Sequence, residues 1–149
     1  MTRFHRTLLP LVVVALVAAC DDDDDPAGTD RGAIVGGYQA SEFRIDFGAT
    51  ERDLLEEGGY IHLELHASGA MEATVFAPEA DEGGEDLLVD VTGTWELDDD
   101  VVQLDHDEDF FLRDIDFVFD EDDFTLQGSC CSDPQIFVTL ESLPVPASS

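Results

Sequence analysis

The amino-acid sequence predicts an all-β domain, a single up-and-down antiparallel meander of about eight strands. The clearest evidence is residues 87–104, where apolar side chains recur at every second position on both sides of the acidic turn Asp98–Asp100. Antiparallel strands with one face toward a core and one toward water give this alternation. Similar short strand patterns, separated by turn residues, recur between Tyr38 and Glu141. A meander of eight closes most naturally into a barrel, since closure removes the exposed edges.

The first segment in chain order is a targeting segment. Arg3 and Arg6 precede the apolar run Leu8–Ala19, which is shorter than the roughly 20 residues of a membrane helix. The run ends in Leu-Val-Ala-Ala before Cys20, and this ending resembles the lipobox of bacterial lipoproteins. The resemblance implies that residues 1–19 are a signal peptide and that Cys20 carries a diacylglycerol. An ordinary signal peptide with this ending by chance is the alternative.

The same resemblance implies an exported lipoprotein anchored in a membrane of the cell envelope, with its domain in the periplasm or at the cell surface. Residues 20–37 are interpreted as the lipidated cysteine followed by a disordered tether, because the aspartates Asp21–Asp25 repel one another and extend the chain. The barrel domain is expected at residues 38–141, and residues 142–149 are expected to be a loose tail.

The charge balance limits the partners. The chain has 36 acidic residues against six arginines, no lysine, and a formal charge of −30. Nucleic acid and anionic lipid surfaces need a basic patch, so the sequence argues against both as partners. The length after the tether suits one domain with a single core. A monomer is expected, with the oligomeric state left open.

Strand patterns at residues 63–69, 93–97, 117–119, 124–126 and 138–140 follow one another along the chain. Their order resembles the lipocalin-like domains of small bacterial lipoproteins. This resemblance implies a small apolar calyx. In lipocalins a Gly-x-Trp motif lies on the first strand, whereas Gly93-Thr94-Trp95 falls near the fourth strand here, so no binding residue is transferred from that family.

Two hypotheses follow for the barrel interior. In the first, the domain binds a small apolar ligand, with Trp95 in the interior and Phe110, Phe111 and Leu112 as a lid or contact surface at the mouth. In the second, the same three residues plug the barrel and the domain is a structural or protein-interaction module without a ligand. A filled barrel would be packed by Phe43, Phe47, Trp95, Phe117 and Phe124.

Candidate metal ligands lie on one strand face. His62, Glu64 and His66 alternate with apolar residues, and alternate histidines on a strand can share a metal with a carboxylate. A solvated face explains the same pattern. The acidic run Asp105–Asp109 begins like a calcium loop but has Phe110 where a sharp turn needs glycine, which excludes an EF-hand and leaves only weak cation binding. No cofactor is expected.

The adjacent residues Cys130 and Cys131 have three interpretations: a vicinal disulfide, two free thiols, or an intermolecular bridge. The vicinal bond ranks first, since thiols in an oxidising envelope tend to pair. The sequence shows neither a CxxC spacing nor an evident base beside a nucleophile, and we expect no enzymatic activity. The expected function is a lipid-anchored envelope lipoprotein with a lipocalin-like barrel that binds a small apolar ligand. The alternatives are the filled-barrel module and a weak divalent-cation binder.

Overall fold

A computed structural model of the chain describes residues 29–79 and 84–144. The expected signal peptide at residues 1–19, Cys20 and the aspartate run lie outside the described residues, as does the tail from residue 145. Within the two described ranges, no helix has the length and apolar character needed to cross a bilayer.

The described residues form a closed, antiparallel, eight-stranded barrel with one short extra strand, which confirms the predicted all-β meander. Each barrel strand pairs with its predecessor, and β1 pairs with β9 to close the barrel, while β2 pairs only with the end of β1. The strands are β1 (Gly36–Asp46), β2 (Glu51–Asp53), β3 (Tyr60–Leu65), β4 (Ala70–Ala77), β5 (Leu87–Asp98), β6 (Val101–Asp105), β7 (Asp116–Asp120), β8 (Thr125–Cys130) and β9 (Gln135–Ser142). A short helix α1 (Arg31–Ile34) precedes β1, and a 3₁₀ turn (Phe111–Asp114) lies between β6 and β7.

The antiparallel register divides the connections between two ends of the barrel. The entry end holds α1, where the described chain enters the barrel, and the three tight turns at 66–69, 99–100 and 121–124. The mouth holds the longer connections at 47–59, 106–115 and 131–134, together with the described parts of the loop between β4 and β5. Short turns at one end and long loops at the other favour a site at the mouth, because loops carry variable side chains on a rigid scaffold.

Strand β1 contains a bulge that the sequence pattern does not reveal. The pairing with β9 shifts register between Ala40 and Glu42. Before the shift Tyr38 and Ala40 point inward, and after it Phe43 and Ile45 do, so the inward parity changes along the strand. One extra residue in a bulge produces this change and bends the strand. The bulge therefore buries both sets of side chains.

Gly93 is required by a close approach between β5 and the end of β6. A Cβ atom at this position would lie 2.0 Å from the carbonyl oxygen of Asp105 and 3.0 Å from the His106 Cβ. Only glycine allows the backbones to approach so closely. Thr94, the next residue, pairs with both Ala70 and Asp105, so the close approach lies where β5 bridges β4 and β6.

The barrel interior is filled by side chains from every barrel strand. Every second side chain of β3 and β4 is buried, and Trp95 on β5 is 1% exposed. Burying a large apolar side chain stabilises a fold by about 1.5–3 kcal/mol. The largest fully buried side chains are Trp95, Tyr38, Phe43, Phe117, Ile34, Leu54, Ile61, Leu65, Met71, Leu112, Ile115 and Leu126.

Two phenylalanines expected inside the barrel lie at its ends instead. Phe47 is 46% exposed because β1 ends at Asp46, before this residue. Phe124 is 49% exposed because it occupies the β7–β8 turn with a φ of +52°, so Leu126 is inward and Phe124 is not. The assignment of both rings to the core was wrong.

The boundaries of the domain also differ from those expected. The segment 50–59 contains strand β2 followed by a hydrogen-bonded turn in which Leu54 is fully buried. The interval from residue 29 to 37 is folded rather than a tether, since Ile34 of α1 is fully buried in the core. The apolar segments that contain Ile34 and Leu54 are short and isolated in the sequence, so no periodic pattern indicates that these residues are buried.

Helix α1 is fixed over the entry end by side-chain contacts. Asp30 accepts a hydrogen bond from the Gly32 amide at 2.9 Å as an N-cap. The guanidinium of Arg31 lies 4.4 Å from the centre of the Trp95 ring. The hydroxyl of Tyr38 donates a hydrogen bond to the Ile34 carbonyl at 2.6 Å, and burial raises the pKa of Tyr38 to about 12.

The Tyr38 hydrogen bond predicts a pH-dependent stability difference for Tyr38→Phe. Near pH 8 the variant loses one buried hydrogen bond, and we expect it to be less stable by about 1 kcal/mol. The raised pKa means that the folded state favours the neutral phenol. The stability that this preference adds to the wild type is present below pH 10 and is lost between about pH 10 and 12. The wild type should lose about 2 kcal/mol in that window through Tyr38, and the variant should not.

Urea unfolding at pH values from 8 to 12 measures both effects. The free energies of unfolding of wild type and Tyr38→Phe should approach each other and cross as the pH rises. Tyr60→Phe, which changes the protein's other tyrosine, is the matched control and should follow the wild type. A constant difference between wild type and Tyr38→Phe across the whole range would contradict the argument.

Candidate functional site

The mouth of the barrel contains a pocket of about 380 Å³ with predominantly apolar walls. Its volume lies at the lower end of the range for ligand pockets, about 300–1,000 Å³. Strands from both sides of the β1–β9 closure contribute to it, together with the 3₁₀ turn and the loop before β9. The lining residues are Phe43, Ile45, Phe47, Arg52, Ala77, Glu79, Leu87, Phe111, Pro134 and Ile136.

The floor and the wall of this mouth pocket differ in exposure. Phe43, Ile45 and Ala77 are at most 8% exposed and form the closed part. Phe47 is 46% exposed and stands at the opening. A buried apolar floor beneath a partly exposed aromatic ring is suited to a small apolar molecule that enters from solvent.

The segment Phe110–Leu112, predicted as either a lid or a plug, lies partly in the core and partly in the wall of the mouth pocket. Leu112 is fully buried and holds the 3₁₀ turn on the core. Phe111 forms part of the pocket wall, and its ring stacks on Phe43 with the centroids 5.8 Å apart. Phe110 is partly buried and contacts Phe111, with the ring centroids 4.4 Å apart. Only Phe111 of the three lines the mouth pocket.

Arg52 braces the polar side of the mouth. Its guanidinium pairs with the Glu57 carboxylate and donates hydrogen bonds to the carbonyls of Pro78 at 3.0 Å and Glu79 at 3.1 Å. The hydrogen bond with Glu57 raises the pKa of Arg52 and lowers the pKa of Glu57. Arg52 therefore joins the β2–β3 segment to the loop after β4, and its donors are already engaged within the protein.

Trp95, predicted as a ligand-contacting residue, lies at the other end of the barrel. Its indole N–H donates a hydrogen bond to the His66 carbonyl at 2.9 Å, and its backbone N–H donates to the Gly69 carbonyl at 2.8 Å. It does not line the mouth pocket. The buried indole therefore ties β5 to the β3–β4 turn.

Of the predicted metal ligands, His62 and Glu64 lie on the outer face of β3, and His66 directly follows the strand. His66 Nδ1 is 3.9 Å from Glu64 Oε1. The cross-strand residue Glu72 joins this pair, and donor atoms of Glu64, His66 and Glu72 all lie within 4.8 Å of one another. His62 is outside this group, and its ring instead contacts Tyr60 with the centroids 5.2 Å apart.

Glu72 is the residue that the sequence reasoning missed. The signal for it was present in the hairpin, because pairing Leu65 with Met71 across the 66–69 turn places Glu64 opposite Glu72. Among residues 29–79 and 84–144, these three side chains are the one group of metal-ligand types that converges. The acidic run Asp105–Asp109 does not form such a group, and Asp109 pairs with Arg113 at 2.8 Å.

Two further features lie near the mouth. The structure joins Cys130 and Cys131 in a vicinal disulfide; Cys130 is 7% exposed, whereas Cys131 is exposed with a φ of +68°. His106, at the start of the β6–β7 connection, is 6% exposed, and neither of its ring nitrogens has a hydrogen-bond partner among the described residues. Nothing in its sequence context distinguished His106 from its exposed acidic neighbours.

The fold and this geometry define the class of protein: an all-β protein with a closed eight-stranded antiparallel barrel, a filled interior and an apolar pocket at one end. No protein-family model, no curated protein and no solved structure matches the chain.

The disulfide leads to a mass-spectrometric prediction. With Cys20 replaced by serine, the protein unfolded without a reductant should carry no alkyl group on Cys130 or Cys131, because both sulfurs are bonded. After reduction it should gain two alkyl groups, one on each cysteine. A mixture of monomers and reducible dimers on a non-reducing gel would instead indicate bonds between chains.

Proposed function

We propose that this protein is a lipid-anchored lipoprotein of the cell envelope whose barrel binds one small, uncharged, apolar molecule at its mouth. The observation that carries the binding proposal is the 380 Å³ pocket with Phe43, Phe47 and Phe111 in its walls. Removing apolar surface from water contributes about 25 cal/mol per Å². A ligand of about 10–20 non-hydrogen atoms fits a pocket of this class and should bind with a dissociation constant of about 1–100 µM.

The charge of the protein supports an uncharged ligand rather than a fatty-acid carboxylate. The chain has a formal charge of −30, and Glu79 lines the pocket opening. Arg52, the one arginine in the lining, is already paired with Glu57. An anionic head group would therefore meet net repulsion without a free cationic partner.

A substitution pair tests the mouth pocket. Phe47→Ser removes an aromatic wall, and Phe124→Ser is its matched control, since the two rings have similar exposures of 46% and 49% and lie at opposite ends of the barrel. We expect N-phenyl-1-naphthylamine, a neutral fluorescent probe, to bind the wild type saturably with one site per chain. Phe47→Ser should weaken binding about five-fold or more, and Phe124→Ser should leave it unchanged.

A pocket-filling variant and a charge comparison sharpen this test. Ala77→Met places a longer side chain in the floor and should abolish probe binding without unfolding the barrel, which far-ultraviolet circular dichroism monitors. Decanol should displace the probe at concentrations about ten-fold below those of decanoate. Equal losses in Phe47→Ser and Phe124→Ser, or no saturable binding by the wild type, would refute binding at the mouth.

A protein-interaction module is the second candidate function, and one observation favours it. Tyr60, Phe76 and Leu88 form an apolar row across the outer faces of β3, β4 and β5, because Phe76 pairs with both of the other residues. The Tyr60 and Phe76 ring centroids are 5.6 Å apart, and Leu88 is 61% exposed. Contiguous exposed apolar surface is a common feature of contact sites. If the mouth binds no probe, this row becomes the better-supported functional surface.

The anchor is supported by the lipobox resemblance before Cys20 and by the order of segments along the chain. Cys20→Ala should remove the acyl mass and prevent stable membrane association, because firm anchoring needs two or more acyl chains. Cell fractionation and intact-mass measurement check this. The double variant Cys130→Ser/Cys131→Ser is the control and should remain acylated in the membrane fraction. Wild-type protein without acyl mass in the soluble fraction would exclude the anchor.

A further inference from the structure

Two glutamates face each other directly across the β3–β4 pair. Glu64 and Glu72 are register partners, and both lie on the outer face of the barrel. Like charges at opposite positions of an antiparallel pair destabilise a sheet. The hairpin therefore brings together two negative charges that a cation would stabilise.

The protein supplies little positive charge at this position. The chain has no lysine. Within the described ranges, the ion pairs of Arg44, Arg52 and Arg113 are with other carboxylates, and Arg31 lies over Trp95. The His66 imidazole lies beside the pair, with its Nδ1 3.9 Å from Glu64 Oε1.

His66 is held in place by its backbone. Its amide donates to the Ala70 carbonyl at 2.9 Å, and its carbonyl accepts from the Gly69 amide and from the Trp95 indole, both at 2.9 Å. These contacts fix the backbone of His66 at the end of the hairpin, so its imidazole extends from a set position next to the two carboxylates. A preorganised donor loses less conformational entropy when it binds a ligand.

The donor set has the composition and spacing of a metal site. One imidazole and two carboxylates have donor atoms within 4.8 Å of one another. Donors around a tetrahedral zinc ion lie about 3.3–3.5 Å apart, as bond lengths of about 2.0–2.2 Å require. Side-chain rotations that move the donor atoms by about 1 Å would bring them to the spacing that zinc requires. Such rotations are sterically available because the side chains of His66 and Glu64 are 37% and 60% exposed.

We infer that Glu64, His66 and Glu72 form a binding site for a divalent transition-metal ion, with Zn²⁺ as the best match. A nitrogen donor beside two carboxylates suits zinc, whereas calcium and magnesium prefer oxygen donors alone. The double positive charge cancels the two opposed carboxylates. Glu64 and Glu72 also line an outer groove of about 320 Å³, so a fourth coordination position is open to water. This site is independent of the mouth pocket.

Zinc titration of the full chain tests the site. The protein is purified with a chelator, dialysed, and titrated with Zn²⁺ by calorimetry. We expect one saturable site above the weak background of surface carboxylates. Glu72→Gln and His66→Gln should each weaken that site ten-fold or more. Glu96→Gln, on the exposed outer face of β5 opposite Gln103, is the matched control and should leave the affinity unchanged.

His62→Gln distinguishes this site from the one predicted from sequence alone. The convergence of donors places Glu72 in the site and His62 outside it, so His62→Gln should change the affinity less than three-fold. Loss of the site in His62→Gln with an unchanged affinity in Glu72→Gln would overturn the assignment. Non-saturating binding that is equal in the wild type and Glu72→Gln would overturn the site altogether.

Thermal stability provides a second readout. Without metal, Glu72→Gln removes the opposed charge and should melt at a higher temperature than the wild type. With saturating Zn²⁺ the order should reverse, because only the wild type is stabilised by binding. Bound Co²⁺ should give a visible absorption spectrum in the wild type and lose it in Glu72→Gln. A wild-type melting temperature that is unchanged by Zn²⁺ would contradict the inference.

Discussion

The pairing of β1 with β9 is the constraint on which the rest of the structure depends. It runs from Tyr38 opposite Ser142 to Asp46 opposite Gln135, and it joins segments roughly 100 residues apart in the chain. Without it the sheet would have two bare edges, which invite pairing with other chains. The bulge before Glu42 bends β1 within this pairing and keeps Phe43 and Ile45 inward. The floor of the mouth pocket therefore exists only in the closed barrel.

Closure also explains why the two candidate sites have different chemistry. The interior is narrow enough that side chains such as Trp95, Tyr38 and Phe117 fill it, and the apolar space that remains lies at the mouth. The outer face must carry many of the 36 acidic side chains, and regular strand pairing sets some of them opposite each other. Apolar binding is therefore confined to one end of the barrel, and the metal-ligand types converge on its outer wall.

Period-two alternation was sufficient to predict the fold and most of the inward residues, because an antiparallel strand repeats its environment every two residues. It failed where a single residue breaks that period. The bulge in β1 shifted the inward parity, and the ends of β1 and β8 left Phe47 and Phe124 exposed. Glu72 was missed because one strand was read alone, whereas the donor group forms across a pair. The mouth pocket depends on loops and a 3₁₀ turn that have no sequence period.

The positions of α1 and the end of β9, near the two ends of the described part of the chain, affect how the mouth would be presented to its surroundings. Helix α1 and the end of β9 both lie at the entry end, where the Leu143 amide donates to the Gly37 carbonyl at 2.7 Å. A chain held to a bilayer through Cys20 would be attached on the side of the barrel opposite the pocket. Ligand would then exchange with the aqueous phase, or with a partner that approaches from it, and lateral transfer from the anchoring leaflet would be disfavoured by geometry.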